Sequence, residues 1–369
     1  MIWAMTLKRH RIRQKQAHFG KWVSCCRRKC NKMAVCPGKH KKEIYQMAIK
    51  MVLQRALEDE YMQQIHDLGV ETVVVKSEED ILSEIGDADA YFGGMTPQIL
   101  KAAKKLRWVQ ATSAGLDGYY FPELRKSDLT VTNIRGIYSD VIADHVFSMV
   151  MAFARGLHHY IRNQSQSKWE KGAPVIHLAG TTLGVVGLGG IGLAVAERGP
   201  IFGMRVLGMD PAPKGKPDFI ARIYAPDELS DMVAESDFVV ICVPHTAQTE
   251  GLFDADMFRA MKNTGILINI GRGKVVQLHA LTSALQSGQI GGAGLDVYEE
   301  EPLPQDHALW SMDNVILTPH VAGASPEIDM RRKALIVENV RRFCAGEPLL
   351  NVVDNQRGYV VDATSIWKT

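Results

Sequence analysis

The sequence predicts an α/β fold of two domains, built on parallel sheets covered by helices on both faces. Three observations predict it. The chain has 369 residues, enough for two domains at about 150 residues each. From about Ala48 onward, short apolar runs alternate with amphipathic stretches, which is the signature of strand–helix–strand units. One apolar run, near Leu183, ends in a glycine-rich turn and passes directly into a helical stretch. Hydrophobic residues make up 46% and charged residues 23%, the balance of a soluble globular protein.

Taken in order, the run AIKMVL is a strand, Arg55 to Leu68 a helix, and ETVVV a second strand. The segments ILSEIG and AYFGG continue the alternation, and LRWVQATS reads as a strand ending in a turn at Ala114-Gly115. Asp117 is expected to shape the loop after that turn. Ser139 to Gly156 repeats apolar residues at helical spacing, with Val141, Ala143, His145, Val146, Met149 and Phe153 on the face to be buried. Strands are expected at 183–187, 205–209, 237–242, 265–270, 293–297 and 314–318. Helices are expected at Leu278 to Gln286 and Ile328 to Cys344. Gly172 to Ala196 contains no Asp, Glu, Lys or Arg, but its glycines and its strand–turn–helix pattern argue against a membrane span.

The first 42 residues stand apart. They hold 13 Lys or Arg and no Asp or Glu, so the whole-chain charge of +2 hides a body at −11. A basic, acid-free composition of this kind reads as a disordered extension. Its alternatives are an organellar leader, with Ser24 as the sole serine, and a nucleic-acid tail. Cys25, Cys30, Cys36 and His40 match no strong zinc spacing, so no metal site is expected. Met33 and Met47 are alternative starts. Cys242 and Cys344 are expected to be reduced and buried, since disulfide frameworks belong to smaller folds in oxidising compartments.

The glycine-rich turn carries the first chemistry. Gly187-Leu188-Gly189-Gly190-Ile191-Gly192 matches G-x-G-x-x-G, behind a strand and ahead of a helix. Gly187 permits the turn, Gly189 lets backbone approach a pyrophosphate, and Gly192 allows helix to pack on strand. The helix N-terminus then faces an anion with free N–H groups. This context makes the half after Trp169 a Rossmann-type doubly wound sheet. The competing reading is a glycine-rich turn in some other α/β fold. Asp210 ends the next strand, 18 residues after Gly192, where an acid meets the adenosine ribose and disfavours a 2′-phosphate. NAD is therefore expected; the downstream Lys214 and Lys216 keep NADP as the less favoured option.

Three later loops add Arg272 in NIGRGKVV, Glu301 in GLDVYEEEPLP and His320 in NVILTPHVAG, each behind an expected strand. Ligands bind at the carboxyl ends of such strands, so the three can converge. With their spacings of 29 and 19 residues, and with LRWVQATSAGLDGYY, NIRGIYSDVIADHVFSMVMAFARGL and CVPHTAQTEGLF, the chain from about 48 to 354 resembles the D-isomer-specific 2-hydroxyacid dehydrogenases. The resemblance implies hydride exchange between NAD(H) and a 2-ketoacid/2-hydroxyacid pair. It implies that Arg272 grips the substrate carboxylate, that His320 is the general acid/base, and that Glu301 favours and orients its imidazolium. It further implies that Ala114 and Gly115 hold the substrate carboxylate, and that Val243, Pro244, His245, Thr246, Thr249, Ile270 and Asp296 line the cofactor.

The same resemblance implies a smaller, flavodoxin-like substrate domain formed by 43–143 and 322–354, an NAD-binding domain at 144–321, and a tail at 355–369. It implies a cytoplasmic homodimer acting on a small molecule such as glyoxylate or hydroxypyruvate, with neither membrane nor nucleic acid as partner. Ala143-Asp144 departs from the family's Ala-Glu. A long-type phosphoglycerate dehydrogenase is disfavoured because no regulatory domain follows 354. Glu301 disfavours a formate dehydrogenase, which has Gln there. The rival function is an NAD(H)-sensing, corepressor-like interaction protein on the same fold.

Overall fold

The computed structural model describes residues 49–116, 119, 121–354 and 360. The basic extension with its four cysteines, Asp117 and nearly all of the 355–369 tail lie outside the described residues. The described chain carries two parallel sheets.

The first sheet uses β1 (Ile49–Leu53), β2 (Val70–Val74), β3 (Ala90–Phe92), β4 (Trp108–Gln110) and β5 (Thr130–Thr132), in the order β2-β1-β3-β4-β5. That is the flavodoxin-like order. Its crossovers carry α1 (Asp59–His66), α2 (Glu78–Glu84), α3 (Pro97–Ala102) and α4 (Pro122–Arg125). Then come α5 (Ser139–Ala154) and α6 (Leu157–Ser165). The second sheet uses β6 (Thr182–Val186), β7 (Arg205–Met209), β8 (Arg222–Tyr224), β9 (Phe238–Ile241), β10 (Ile266–Asn269), β11 (Gly292–Leu295) and β12 (Val315–Leu317), in the order β12-β11-β10-β9-β6-β7-β8. This is the doubly wound pattern, reversing direction between β6 and β9. Helices α7 (Gly190–Arg198), α8 (Leu229–Glu235), α9 (Ala255–Ala260) and α10 (Leu278–Gln286) accompany it, and α11 (Pro326–Ala345) follows β12.

The central strands of the second sheet are apolar along most of their length because both faces are covered, with Thr182 and Asn269 as polar ends. Val185 and Val186 point to opposite sides. Val185 joins Val240, Ile268 and the α5 residues Val146 and Val150 in one core. Val186 joins Val239, Leu267 and Leu281 in the other. In the first sheet, Met51, Leu53 and Trp108 pack against Ile336 and Val340 of α11. The chain after β12 therefore returns to the first sheet, and Thr132 and Val352 form an antiparallel bridge there.

Most elements fall where the sequence places them, with two differences. The first helix begins at Asp59 rather than Arg55, because Glu58 is extended; its carboxylate pairs with Lys333 of α11. Two three-residue strands, β5 and β8, carry too few residues to register as a periodic pattern. Cys242 and Cys344 are free thiols, partly rather than fully buried. No helix among the described residues is long and apolar enough to cross a membrane.

Candidate active site

The glycine loop leaves β6 at the point where the second sheet reverses. Gly187 takes φ +95°, in the left-handed region that favours glycine. A Cβ on Gly192 would stand 1.9 Å from the Gly187 carbonyl oxygen, so the first turn of α7 can close on the loop only without a side chain. Gly189, in extended conformation, caps α7, which begins at Gly190 with Ile191 behind it. Asp210 follows β7 and accepts from the Leu188 N–H at 2.8 Å and the Ala212 N–H at 2.9 Å. Its carboxylate is thus fixed at the end of the loop. A bare backbone cradle at a helix N-terminus, closed at one end by an acid, fits a dinucleotide with its pyrophosphate on the loop and its ribose at the acid.

The opposite wall is the loop after β9. A Cβ on Gly187 would meet Val243 Cγ1 at 2.8 Å, so the two loops are in direct contact. Thr249 Oγ1 donates to the Pro244 carbonyl at 2.7 Å and accepts from the Thr246 N–H at 2.8 Å, which folds this loop on itself. His245 Nε2 lies 3.5 Å from Glu250. Burial pushes the thiol of neighbouring Cys242 up to about 12. Ile270, buried, closes the end of β10.

Arg272, Glu301 and His320 come next, in the loops that follow the adjacent strands β10, β11 and β12. Buried Asn269 shapes the Arg272 turn: its Nδ2 donates to the Arg272 carbonyl and its Oδ1 accepts from the Gly271 N–H, both at 3.1 Å. Arg272 Nη1 donates to the Gly271 carbonyl at 2.7 Å. A Cβ on Gly273 would stand 1.7 Å from the Tyr298 carbonyl oxygen, so the Arg272 loop lies directly against the loop that carries Glu301. Glu301 Oε1 accepts from the Tyr298 N–H at 3.0 Å, and Oε2 lies 2.8 Å from His320 Nδ1. With Nδ1 held by the carboxylate, Nε2 is the imidazole atom left for substrate.

His320 itself adopts φ +55°, uncommon for a residue with a side chain. Asp296 explains how the loop holds that shape. Its carbonyl accepts from the His320 N–H at 2.9 Å. Its carboxylate accepts from Thr318 Oγ1 at 2.6 Å and from the Val321 and Ala322 N–H groups at 2.8 Å each. Buried carboxylates bonded this way make strong, charge-assisted contacts. The resemblance implies that Asp296 touches cofactor; the structure adds a role beneath the His320 loop. With the Thr318 hydroxyl donating to Asp296, His145 of α5 donates to Thr318 Oγ1, at 3.1 Å. Thr318 was not named from sequence and His145 only as part of a buried helix face, because nothing in the spacing ties α5 to β12.

The Ala114-Gly115 turn follows β4. Its carbonyls are bound by Asn133 Nδ2, at 2.6 Å to Ala114, and by Ser113 Oγ, at 2.6 Å to Gly115. Ala114 also packs against the apolar cluster of Ile134, Ile137 and Ile328, beside α5 and α11. Among the described residues, no cluster of three or more His, Cys, Asp or Glu could hold a metal.

Comparison with known proteins agrees with this architecture. Residues 147–322 match the family model described as "D-isomer specific 2-hydroxyacid dehydrogenase, NAD binding domain". The chain is 38% identical over 292 residues to a glyoxylate reductase of Korarchaeum cryptofilum, covering 76% of this chain and 87% of that protein. It is 36% identical over 319 residues to a glyoxylate reductase of Pyrococcus horikoshii, covering 83% and 92%. Among solved structures it resembles a D-isomer specific 2-hydroxyacid dehydrogenase from Xanthobacter autotrophicus Py2 in complex with NADPH and MES, with a TM-score of 0.74 and 30% identity over 85% of this chain and all of that one.

Proposed function

The chain belongs to the D-isomer-specific 2-hydroxyacid dehydrogenase family, and from that premise we propose that it reduces a small 2-ketoacid such as glyoxylate or hydroxypyruvate, with His320 as proton donor. Membership makes it an oxidoreductase of 2-hydroxyacids that uses a nicotinamide dinucleotide. One observation carries the assignment of roles: the His320–Glu301 pair at 2.8 Å, with the Glu301 loop against the Arg272 loop, past the carboxyl ends of β10, β11 and β12.

When bound, the cofactor supplies hydride to the carbonyl carbon or accepts it in reverse. Arg272 binds the substrate carboxylate and polarises the carbonyl. Ala114 and Gly115 present backbone to the same carboxylate. As the carbonyl carbon gains hydride, His320 Nε2 gives its proton to the carbonyl oxygen, and oxidation returns it. Glu301 compensates the positive charge of the imidazolium and fixes the ring through Nδ1. Asp296 holds the His320 loop in register. No observation favours the sensor reading over the enzyme.

We assign NAD as the preferred cofactor because Asp210, an acid of the kind that meets the ribose hydroxyls and repels a 2′-phosphate, is held at the end of the glycine loop, and because Lys216 Nζ is bound to the Ile220 carbonyl at 2.8 Å. We divide the chain into a substrate domain, 43–143 with 322–354, and a cofactor domain, 144–321. Their crossings lie at α5 and α11, where Arg331 grips Asp140 at 2.7 and 2.8 Å. A homodimer is supported by the apolar residues exposed along α6 and the following segment: Leu157, Ile161, Trp169 (94% exposed) and Val175. The two free thiols among the described residues are in keeping with a cytoplasmic location.

The test is a screen of 2-ketoacids with NADH and NADPH, followed by absorbance, on the native chain and on His320→Ala. The native chain is expected to turn over glyoxylate or hydroxypyruvate with NADH favoured, and the variant to lose roughly 10² to 10⁴ in kcat. Undiminished turnover in the variant removes His320 from the chemistry. Sedimentation of the native chain reads the dimer.

A further inference from the structure

The glycine loop and its helix offer the pyrophosphate only backbone. Residues 187–192 contain no cation, and Arg198, at the far end of α7, is bound to Asp144 at 2.8 Å. The positive charge at this cradle comes from elsewhere in the chain. Arg135 lies in the segment between β5 and α5, outside the second sheet. Its backbone is clamped: its N–H donates to Asn133 Oδ1 at 3.0 Å, and its carbonyl accepts from Asn351 Nδ2 at 2.6 Å. Asn351 is itself buried, and Gly136 turns the chain at φ +91°. From this fixed base the guanidinium reaches the glycine loop. Arg135 Nη1 donates to the Val360 carbonyl, and a Cβ built on Gly189 would stand 3.2 Å from Arg135 Nη2. One residue on, a Cβ built on Gly190 would stand 3.0 Å from Ser139 Oγ, at the start of α5.

We propose that Arg135 and Ser139 complete the pyrophosphate site from the first-sheet side, with Arg135 as its cation and Ser139 as a hydroxyl donor. The inference rests on the dinucleotide reading given above. The glycine loop offers N–H groups from below, and Arg135 offers a planar fork of donors from the opposite side, the geometry suited to phosphate oxygens. The consequence is mechanical. Arg135 belongs to the chain of the first sheet and α7 to the second, so a bound pyrophosphate ties the two together across the start of α5. Binding the cofactor and ordering the cleft between the sheets then become one event.

The experiment uses the full chain and two probes that cannot transfer hydride. ADP-ribose carries the adenosine and both phosphates, while adenosine carries neither phosphate. Calorimetric titration of the native chain, Arg135→Gln, Arg135→Lys and Ser139→Ala is expected to show ADP-ribose bound tenfold or more weakly by Arg135→Gln, with adenosine affinity unchanged. Ser139→Ala should lose a few-fold. Added salt should weaken ADP-ribose binding less in Arg135→Gln than in the native chain. If Arg135→Gln does not fold, Arg135→Lys, which keeps the charge without the fork, should still lose affinity for ADP-ribose alone. Native affinity for ADP-ribose in the Arg135 variants, or an equal loss for adenosine, overturns the proposal. A native chain that binds neither probe overturns the dinucleotide reading itself, and this inference with it.

Discussion

Glu301→Gln isolates the charge in the His320–Glu301 pair from its shape. The substitution keeps an oxygen to accept from the Tyr298 N–H, now 3.0 Å from Oε1, so the loop need not move. It replaces the carboxylate oxygen 2.8 Å from His320 Nδ1 with an amide. What is lost is the hydrogen bond from His320 Nδ1–H to a charged acceptor, because the amide nitrogen that replaces Oε2 can only donate. Hydrogen bonds to charged groups contribute about 1.5–3 kcal/mol net. The side chains of His320 and Glu301 are 55% and 37% exposed, so water screens the pair and the lower end applies. A loss of about 1.5 kcal/mol, felt as the imidazole passes between its charged and neutral forms, is roughly tenfold in kcat. Glu301→Ala also removes the acceptor for the Tyr298 N–H and should cost about another tenfold. The assay is steady-state oxidation of NADH by the best 2-ketoacid, read by absorbance, with a thermal melt of each variant as control. An unchanged kcat for Glu301→Gln would show that the carboxylate does not support His320. A loss beyond roughly 10³-fold with an unchanged melt would show that it takes part directly, since one screened hydrogen bond cannot supply that much.

Two further substitutions test the frame. Gly192→Ala places a methyl 1.9 Å from the Gly187 carbonyl oxygen; neither atom can yield without moving α7 off β6. It should destabilise the chain by about 1–3 kcal/mol, the usual cost of overpacking, and abolish ADP-ribose binding, whereas a native melt and native binding would refute the cradle. Asp140→Asn tests the pin between α5 and α11. Hydrogen bonding to Arg331 holds the Asp140 carboxyl below its ordinary 3.8, so the pair contributes stability that is full above pH 3.8 and disappears as pH falls through the lower folded value. With the Asp140 side chain 52% exposed, the contribution is about 1 kcal/mol. The variant should therefore melt lower at pH 7 and converge on the native chain in acid; a gap that persists below the Asp140 titration would refute it.

Some of this was determined by the sequence alone. The β6–α7 turn was legible because G-x-G-x-x-G records a close approach that excludes side chains, and the excluded Cβ at Gly192 is that approach seen directly. Arg272, Glu301 and His320 were legible because each follows a largely apolar strand, and parallel sheets expose their carboxyl ends. Buried strands such as β9 and β10 declare themselves by composition, since both faces must be apolar. The tertiary structure decided what depends on contacts between distant segments. The pairing of Glu58, just before α1, with Lys333 joins residues 275 apart. The support of His320 by Asp296, Thr318 and His145 joins β11, β12 and α5, and the approach of Arg135 to Gly189 joins the two sheets. Periodicity and local motifs record what one segment must bury or leave bare. They carry no term for which polar groups meet once separate segments have packed, and that meeting decides how the site is held.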